Sequence, residues 1–346
     1  MSWIDYSKIR DGVLNMLTTN MGLKAGEQVL VVSDVPRDSD WREKEGKFLG
    51  DVVQRTLLSK AVSEIATEAF PESLVEFTIY PMVSQHGDEP PAWLGQRMAR
   101  AQVVIAITTF SLSHTQAREL ATQASARIAS MPGFLMEMFY PDGPMTVDYI
   151  AISGETARIA TALTEAEQVH ITCPAGTDLT FSLKGRYGHR DDGLYRKPGQ
   201  WGNLPAGEAY TTPLEGTAQG RLVVSPGWHA NLTETLVINF EDGEAVSLEG
   251  GGAVREELER VLRFGDPDTA PRRNCAELGI GTNPNARRTD NTLEAEKIRG
   301  TLHIALGDNA HMGGIVAADY HQDFVISHPT LTLDGKAIME DGELML

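Results

Sequence analysis

The sequence has little cysteine: its 346 residues contain only two, Cys173 and Cys275, far apart along the chain. A chain of this length buries a core large enough to be stable without cross-links, so a disulfide framework is not expected. Sparse cysteine is typical of a reducing compartment, and we therefore expect a cytoplasmic protein.

Long hydrophobic runs are also missing. No stretch reaches the roughly eighteen apolar residues that a membrane helix needs. The first residues, "MSWIDYSKIRDGVLNML", mix charged with apolar side chains and do not look like a targeting segment. We therefore expect no membrane partner.

Positive charge is scarce, with 30 lysines and arginines against 48 acidic residues and a net charge of −18. Such a field repels phosphate backbones, which argues against a nucleic-acid partner. No Gly-rich phosphate loop follows any predicted strand, so a nucleotide fingerprint is absent as well. The surplus carboxylates form either a solvated surface or a set of cation ligands, and single residues must decide between the two.

The first half of the chain alternates strand-like and helix-like patterns. The predicted strands cover residues 27–34, 75–81, 101–108 and 126–133, and helices are predicted at 52–70 and 115–125. This alternation predicts an α/β domain in which helices cover a parallel sheet.

The pattern changes after a helix predicted at about 145–166. Short strands then alternate with turn residues, and Asp-Gly pairs at 242–243, 334–335 and 341–342 are hairpin signals. One amphipathic helix, with Val254, Leu258 and Leu262 on one stripe, interrupts them. We therefore predict two domains: an α/β domain over residues 1–165, and an α+β, mostly antiparallel domain over residues 166–346.

Histidines are few, nine in all, and three lie within the runs "GTLHIALGDNAHMGG" and "YHQDFV". His321 and Asp323 are two residues apart, so on a strand they project from the same face and can reach one cation. His303 stands inside an apolar run, where a histidine without a partner would be unfavourable. A half-buried strand with a wet polar face is the alternative interpretation.

Two glutamates stand in similarly improbable places. Glu208 and Glu277 lie in mostly uncharged stretches bounded by Gly and Pro, where a carboxylate needs a partner or a cation. Glu296 is a weaker candidate because a Glu-Lys pair on a helix is normally a solvated face. The mixed oxygen and nitrogen donors suit divalent ions such as zinc, cobalt or manganese, although their spacing alone does not establish a site.

Several longer runs carry a family resemblance. "NLPAGEAYTTPLEGTAQG", "AELGIGTNPNARR", "LEAEKIRGTLHIALGDN" and "HQDFV", together with "SLSHTQAREL" and "ARIASMPG", resemble the thermophilic metallo-aminopeptidase family, which includes aminopeptidases T and S. The resemblance implies an N-terminal α/β domain, a C-terminal centre with two divalent ions, a homodimer, and release of N-terminal amino acids from peptides or a related small amide.

The resemblance also implies a role for particular residues. Glu277 is the expected general base as well as a ligand, because metal-activated water attacks the amide carbonyl in such hydrolases. The implied metal ligands are Glu208, Glu277, Glu296, His303, His321 and Asp323.

One position departs from the peptidase pattern. The peptidases have a catalytic tyrosine seven residues after the first ligand histidine, and this chain has Ala310 there, followed by His311. We therefore expect His311 to replace the tyrosine as a catalytic donor or proton shuttle. Surface exposure is the plainer interpretation of a loop histidine.

Two other functions stay open. The same superfamily includes an iron-dependent dioxygenase that opens 2,5-dihydroxypyridine, with a pair like His321 and Asp323 but a histidine where this chain has Glu277. Glutamate there favours hydrolysis, although His303 could complete a two-histidine, one-carboxylate Fe(II) triad. A metal-binding protein without catalysis is the third possibility, and the hydrolase is the main expectation.

Overall fold

The computed structural model describes residues 4–346, and the chain divides into two compact units. Unit 1 runs to Tyr149 and includes Gly193–Ala206, and unit 2 comprises Ile150–Asp192 and Gly207–Leu346. The helix that precedes residue 165 lies in unit 2, whereas the predicted boundary assigned it to the first domain. Its Ile159 and Leu163 explain this placement, because both belong to the hydrophobic core of the unit 2 sheets.

Unit 1 is built on a parallel sheet. Its strands are β1 (Gln28–Val35), β2 (Leu74–Pro81), β3 (Val103–Thr108), β4 (Arg127–Pro132) and β8 (Trp201–Asn203). They lie in the order β2-β1-β3-β4-β8, and every pairing between neighbours is parallel. The helices of the unit are α1 (Tyr6–Asn15), α2 (Asp40–Glu43), α3 (Gly46–Ala69), α4 (Ala92–Met98) and α5 (Gln116–Gln123).

The predicted α/β architecture is confirmed in this unit. All six residues of β3 are buried, as expected for a parallel strand covered on both faces. The helix predicted at 115–125 is present as α5, and the Thr115 side chain caps it by accepting a hydrogen bond from the Arg118 amide.

Unit 2 consists mainly of antiparallel sheets. Its first sheet has the order β12-β11-β10-β6-β5-β16-β17-β18 and its second the order β15-β14-β13-β9-β7. The strands are β5 (Gln168–Thr172), β6 (Asp178–Ser182), β7 (His189–Asp191), β9 (Glu208–Thr211), β10 (Gln219–Val224), β11 (Leu236–Glu241), β12 (Glu244–Gly250), β13 (Cys275–Gly281), β14 (Leu302–Gly307), β15 (His321–Ile326), β16 (Thr330–Leu333), β17 (Lys336–Glu340) and β18 (Glu343–Leu344). The helices are α6 (Tyr149–Glu165), α7 (Gly252–Leu262) and α8 (Thr292–Ala295).

The three predicted Asp-Gly turns connect neighbouring antiparallel strands. Asp242, Asp334 and Asp341 have φ of 48°, 49° and 47°, and each following glycine is also left-handed. They join β11 to β12, β16 to β17 and β17 to β18, so these three predicted hairpins are confirmed.

The two sheets of unit 2 share one hydrophobic core. Leu222 and Ile238 of the eight-stranded sheet belong to the same buried cluster as Leu278 and Ile304 of the five-stranded sheet. Side chains alternate along a strand, so the residues between these core positions face away from the core. That second face of the five-stranded sheet carries the polar residues predicted from the sequence.

Both cysteines are free thiols, and Cys275 is buried. Burial raises the pKa of the Cys275 thiol to about 12, which keeps it protonated and unreactive. Among residues 4–346, no helix combines the length and the apolar character that a bilayer crossing requires.

Candidate metal centre

Four consecutive strands of the five-stranded sheet of unit 2, β15, β14, β13 and β9, bring distant residues together. Ala305 of β14 pairs with Glu277 of β13 on one side and with Asp323 of β15 on the other. His303 lies two residues before Ala305, and Glu208 enters from β9. Residues that span more than a hundred positions in the sequence therefore meet on one face because of strand register.

The interatomic distances define a compact cluster. His321 Nε2 lies 3.2 Å from Glu277 Oε2 and 3.7 Å from Asp323 Oδ1. His303 Nε2 lies 3.6 Å from Glu277 Oε1, 3.5 Å from Glu208 Oε2 and 3.9 Å from Asp323 Oδ1. One ligand atom each from Glu277, His321 and Asp323 can be chosen so that all three lie within 4.8 Å of one another. We call Glu277, His303, His321 and Asp323 the central cluster.

Small residues on neighbouring strands make room for the cluster. Gly279 is the strand partner of His303, and a Cβ atom at position 279 would lie 2.0 Å from His303 Nε2. Gly307 is the partner of His321, and Ala305 separates the two carboxylates. Only glycine at position 279 leaves enough space for the His303 imidazole, because any side chain there would clash with the ring.

The orientation of His321 is fixed by a loop carbonyl. Its Nδ1 lies 2.9 Å from the backbone oxygen of Asp308, which can only accept, so Nδ1 donates. In the charged imidazole, Nε2 then donates its proton toward the carboxylates, and in the neutral ring the same hydrogen bond leaves the Nε2 lone pair free for a cation. Metal-binding histidines are commonly held by such a bond from the other ring nitrogen.

Three buried atoms of the site have no hydrogen-bond partner among the described residues: Glu208 Oε2, His303 Nδ1 and Asp323 Oδ1. Buried polar atoms are nearly always satisfied, so orphaned carboxylate oxygens need an explanation. Two of these atoms are carboxylate oxygens that face the imidazoles, and a divalent cation would satisfy them. The donor set therefore fits a metal ion.

The pKa shifts show that the cluster is short of positive charge. Burial raises the pKa of Glu277, but hydrogen bonds from His303 and His321 outweigh burial and lower the pKa to about 2. Burial lowers the pKa of His303, but Glu277 and Glu208 outweigh it and raise the pKa to about 9. The carboxylates thus hold protons on both imidazoles, since the pKa of His321 is also raised well above its usual value.

Lys297 is buried and Glu296 is half-buried, contrary to the solvated helix face that a Glu-Lys pair suggests. The side chain of Lys297 is 1% exposed, and its Nζ lies 2.5 Å from Glu208 Oε1 and 3.3 Å from Glu296 Oε2. Asp191 Oδ2 lies 3.7 Å from the same nitrogen. Sequence reasoning missed Lys297 because the single helical turn α8 ends at Ala295, so no periodic pattern shows that the lysine two residues later points inward.

Glu296 lies beside the cluster rather than within it. Burial, and next the charge of Asp323, raise its pKa to about 8. Burial raises the pKa of Asp323, but the charge of His321 outweighs burial, and Glu296 makes a smaller contribution in the same direction.

His311 lies at the edge of the cluster. Its ring centroid is 5.7 Å from that of His321, and its Nδ1 lies 2.5 Å from Asp308 Oδ2. The side chain is 41% exposed. His311 is therefore accessible and carboxylate-bound next to a cluster histidine.

The charged segment 186–193, which includes β7, donates hydrogen bonds to the loop that carries His311. Arg186 donates to the backbone oxygen of Gly313 at 2.7 Å, and His189 Nε2 donates to that of Met312 at 3.2 Å. His189 also stacks on Tyr210. These residues anchor the loop next to the cluster, which the sequence alone did not show.

The fold and the cluster define a class: proteins that combine a parallel α/β unit with an antiparallel sheet whose polar face carries imidazoles and carboxylates that fit a divalent ion. A family model described as NicX, 2,5-dihydroxypyridine 5,6-dioxygenase, matches residues 19–346. The chain belongs to this 2,5-dihydroxypyridine 5,6-dioxygenase family.

Relatives agree with that assignment. The chain is 25% identical over 199 residues to a 2,5-dihydroxypyridine 5,6-dioxygenase of Pseudomonas putida, covering 54% of this chain and 56% of the relative. The chain thus spans just over half the length of that curated relative. The solved 2,5-dihydroxypyridine dioxygenase of Pseudomonas putida has a TM-score of 0.73 at 17% identity, covering 99% of this chain and 98% of that one.

The aminopeptidase resemblance holds for the fold. Wild-type AmpT from Thermus thermophilus has a TM-score of 0.62 at 16% identity, covering 97% of this chain and 99% of that chain. The main functional expectation was nevertheless wrong: the family and its relatives name a dioxygenase, not a hydrolase, and therefore not an enzyme of peptides or amides. A shared fold does not specify the reaction.

Proposed function

We propose that this chain is a ring-opening dioxygenase of a dihydroxylated pyridine, with one ferrous ion held by the central cluster. The observation that carries the proposal is the convergence of Glu277, His321 and Asp323, whose ligand atoms lie within 4.8 Å of one another, in a chain of the dihydroxypyridine dioxygenase family.

The donor types support iron. His303, His321 and Asp323 supply two imidazoles and one carboxylate, the set that non-haem Fe(II) oxygenases use while leaving positions open. Glu277 adds a carboxylate oxygen between the two imidazoles. A ferrous ion supplies the one-electron chemistry that lets O2 react with an aromatic ring.

The protein residues would position the ring and move its proton. A ring hydroxyl must lose a proton for the ring to become electron-rich, and His311 stands beside the cluster to accept it at Nε2. Because His311 Nδ1 donates to Asp308, that carboxylate would stabilise the resulting imidazolium. The catalytic role expected for His311 is thus kept in the proposal, now with a different substrate.

The test is oxygen consumption coupled to ring loss. Protein reconstituted anaerobically with Fe(II) is mixed with 2,5-dihydroxypyridine and air-saturated buffer, and O2 uptake and the aromatic absorbance are followed together. We expect O2 and ring to disappear in equal amounts, and His321→Ala to abolish both signals. His328→Ala is the matched control, because that histidine is exposed and lies outside the cluster.

Iron-loaded protein that consumes no O2 with this substrate or related dihydroxylated N-heteroaromatics would refute the proposal. Full activity in His321→Ala would refute the assignment of the cluster as the iron site.

A further inference from the structure

A buried lysine stands beside the central cluster, surrounded by carboxylates. Lys297 Nζ contacts Glu208, Glu296 and Asp191 at 2.5, 3.3 and 3.7 Å. Lysine is almost never fully buried unless its charge is paired, and here one ammonium faces three acidic side chains. A single positive charge thus lies where several carboxylate oxygens converge.

We propose that the Lys297 ammonium occupies the position of a second cation and thereby limits this centre to one divalent ion. The inference rests on the proposed function, because it explains how a carboxylate-rich site can be restricted to a single metal. It concerns the number of ions rather than their reaction.

The contacts of Glu208 show how this works. Its Oε1 lies on Lys297, while Oε2 lies 3.5 Å from His303 Nε2 and has no hydrogen-bond partner among residues 4–346. Glu208 therefore spans the space between the ammonium and the central cluster. In a two-ion centre a carboxylate in this place would bridge two metals, whereas here one of its oxygens already meets a fixed cation.

Glu296 is engaged in the same way. Its Oε2 lies 3.3 Å from Lys297 Nζ. The two glutamates that a second ion would need, Glu208 and Glu296, thus both contact the same buried ammonium. An incoming divalent ion would face the repulsion of a buried ammonium at close range.

The competing interpretation is a purely structural ion pair. A structural pair would leave the metal count unchanged when the lysine loses its charge, whereas a stand-in cation would make room for another ion. Counting bound metal therefore separates the two interpretations without using enzymatic activity.

The experiment measures Mn(II) bound per chain by equilibrium dialysis with elemental analysis, and the EPR spectrum of the bound ions. We expect about one Mn(II) in the wild type and about two in Lys297→Met, with a spectrum that changes from isolated ions to an exchange-coupled pair. Lys297→Arg keeps the charge and should bind one ion. Lys336→Met removes an exposed lysine and should also bind one.

Lys297→Gln is the second variant, since its amide can still donate to Glu208 and so preserve folding while removing the charge. Two Mn(II) ions in the wild type would overturn the inference, and so would a single ion in both folded, neutral variants. A wild type that binds one ion but opens no ring would leave the inference standing and remove the proposed function. A wild type that binds none would remove both.

Discussion

At the scale of single residues, the site depends on how much room each ligand has. Gly279 pairs with His303, and a Cβ there would come within 2.0 Å of the imidazole. We predict that Gly279→Ala displaces His303, weakens Fe(II) or Mn(II) binding at least tenfold and destabilises unit 2 by about 1–3 kcal/mol.

Metal titration and urea unfolding measure both effects. Gly154→Ala is the matched control, because that glycine lies in helix α6 with no atom within 4 Å of the added Cβ. The control should bind metal normally and gain a little stability. Unchanged metal affinity in Gly279→Ala would contradict the role of His303.

His303 also makes the free energy of unfolding of the metal-free protein depend on pH. Its pKa is raised from 6.5 to about 9 in the folded state. The charged imidazole therefore stabilises the fold fully below pH 6.5, and that contribution, up to about 3 kcal/mol, disappears as the pH rises through 9. Urea unfolding in the presence of chelator should show this loss, and His303→Gln should flatten it.

Metal binding should depend on pH in the opposite direction from the stability of the metal-free protein. A ligating imidazole must be neutral, so metal binding releases protons and the apparent affinity should rise from pH 6.5 to 9. Calorimetric titration in buffers of different ionisation enthalpy measures the released protons. Uptake of protons on binding, or an affinity that falls with pH, would show that His303 and His321 are not ligands.

At the scale of elements, the loop between β14 and β15 is held by buried polar contacts. Asn309 is fully buried and donates to Thr212 and Glu215 at 2.8 and 2.9 Å. Glu215 also accepts from the Ile315 amide and pairs with Arg186. Buried hydrogen bonds from Asn309 and Glu215 therefore hold the loop that carries His311 in place.

We predict that Asn309→Ala destabilises the protein by about 1–3 kcal/mol and increases hydrogen exchange at residues 310–319, because it leaves buried partners unsatisfied. Ring opening should slow while metal content stays normal, since no cluster ligand is changed. Asn239→Ala is the control, because it removes hydrogen bonds only to Ser247 and Glu249, whose side chains are exposed. Unaltered exchange in the loop would contradict the anchoring role.

Local patterns predicted the elements well, and tertiary register explains what they missed. The His-x-Asp pair lies on one face of β15 because strand alternation is a local property. Which residues stand opposite, such as Gly279 beside His303, depends on pairing across strands that no single sequence displays. Lys297 was missed for the same reason, since an adjacent Glu and Lys usually face solvent.

At the scale of the whole molecule, the fold does not determine which reaction is catalysed. The same architecture is similar to an aminopeptidase and to a dihydroxypyridine dioxygenase, at TM-scores of 0.62 and 0.73. Sequence reasoning took Glu277 as a sign of hydrolysis, although a carboxylate at one position leaves the metal and its substrate open. The family match corrects the reaction and leaves the fold prediction intact.

Metal should stabilise the fold as a whole. The central cluster joins three strands of unit 2, and an ion that binds only the folded state adds about 2.7 kcal/mol at a hundredfold excess over its Kd. We predict that chelation lowers Tm by several degrees in the wild type and leaves it unchanged in His321→Ala. Differential scanning calorimetry measures the shift, and equal shifts in both proteins would place the ion elsewhere.

In the proposed reaction, both oxygen atoms of O2 are incorporated into a dihydroxypyridine ring bound at the cluster of Glu277, His303, His321 and Asp323. Mass spectrometry of the product formed from 2,5-dihydroxypyridine under ¹⁸O2 by the Fe(II)-loaded protein tests it most directly. We expect a ring-opened product that carries both atoms of the labelled O2. An intact ring, or a ring-opened product with no label from O2, would contradict it.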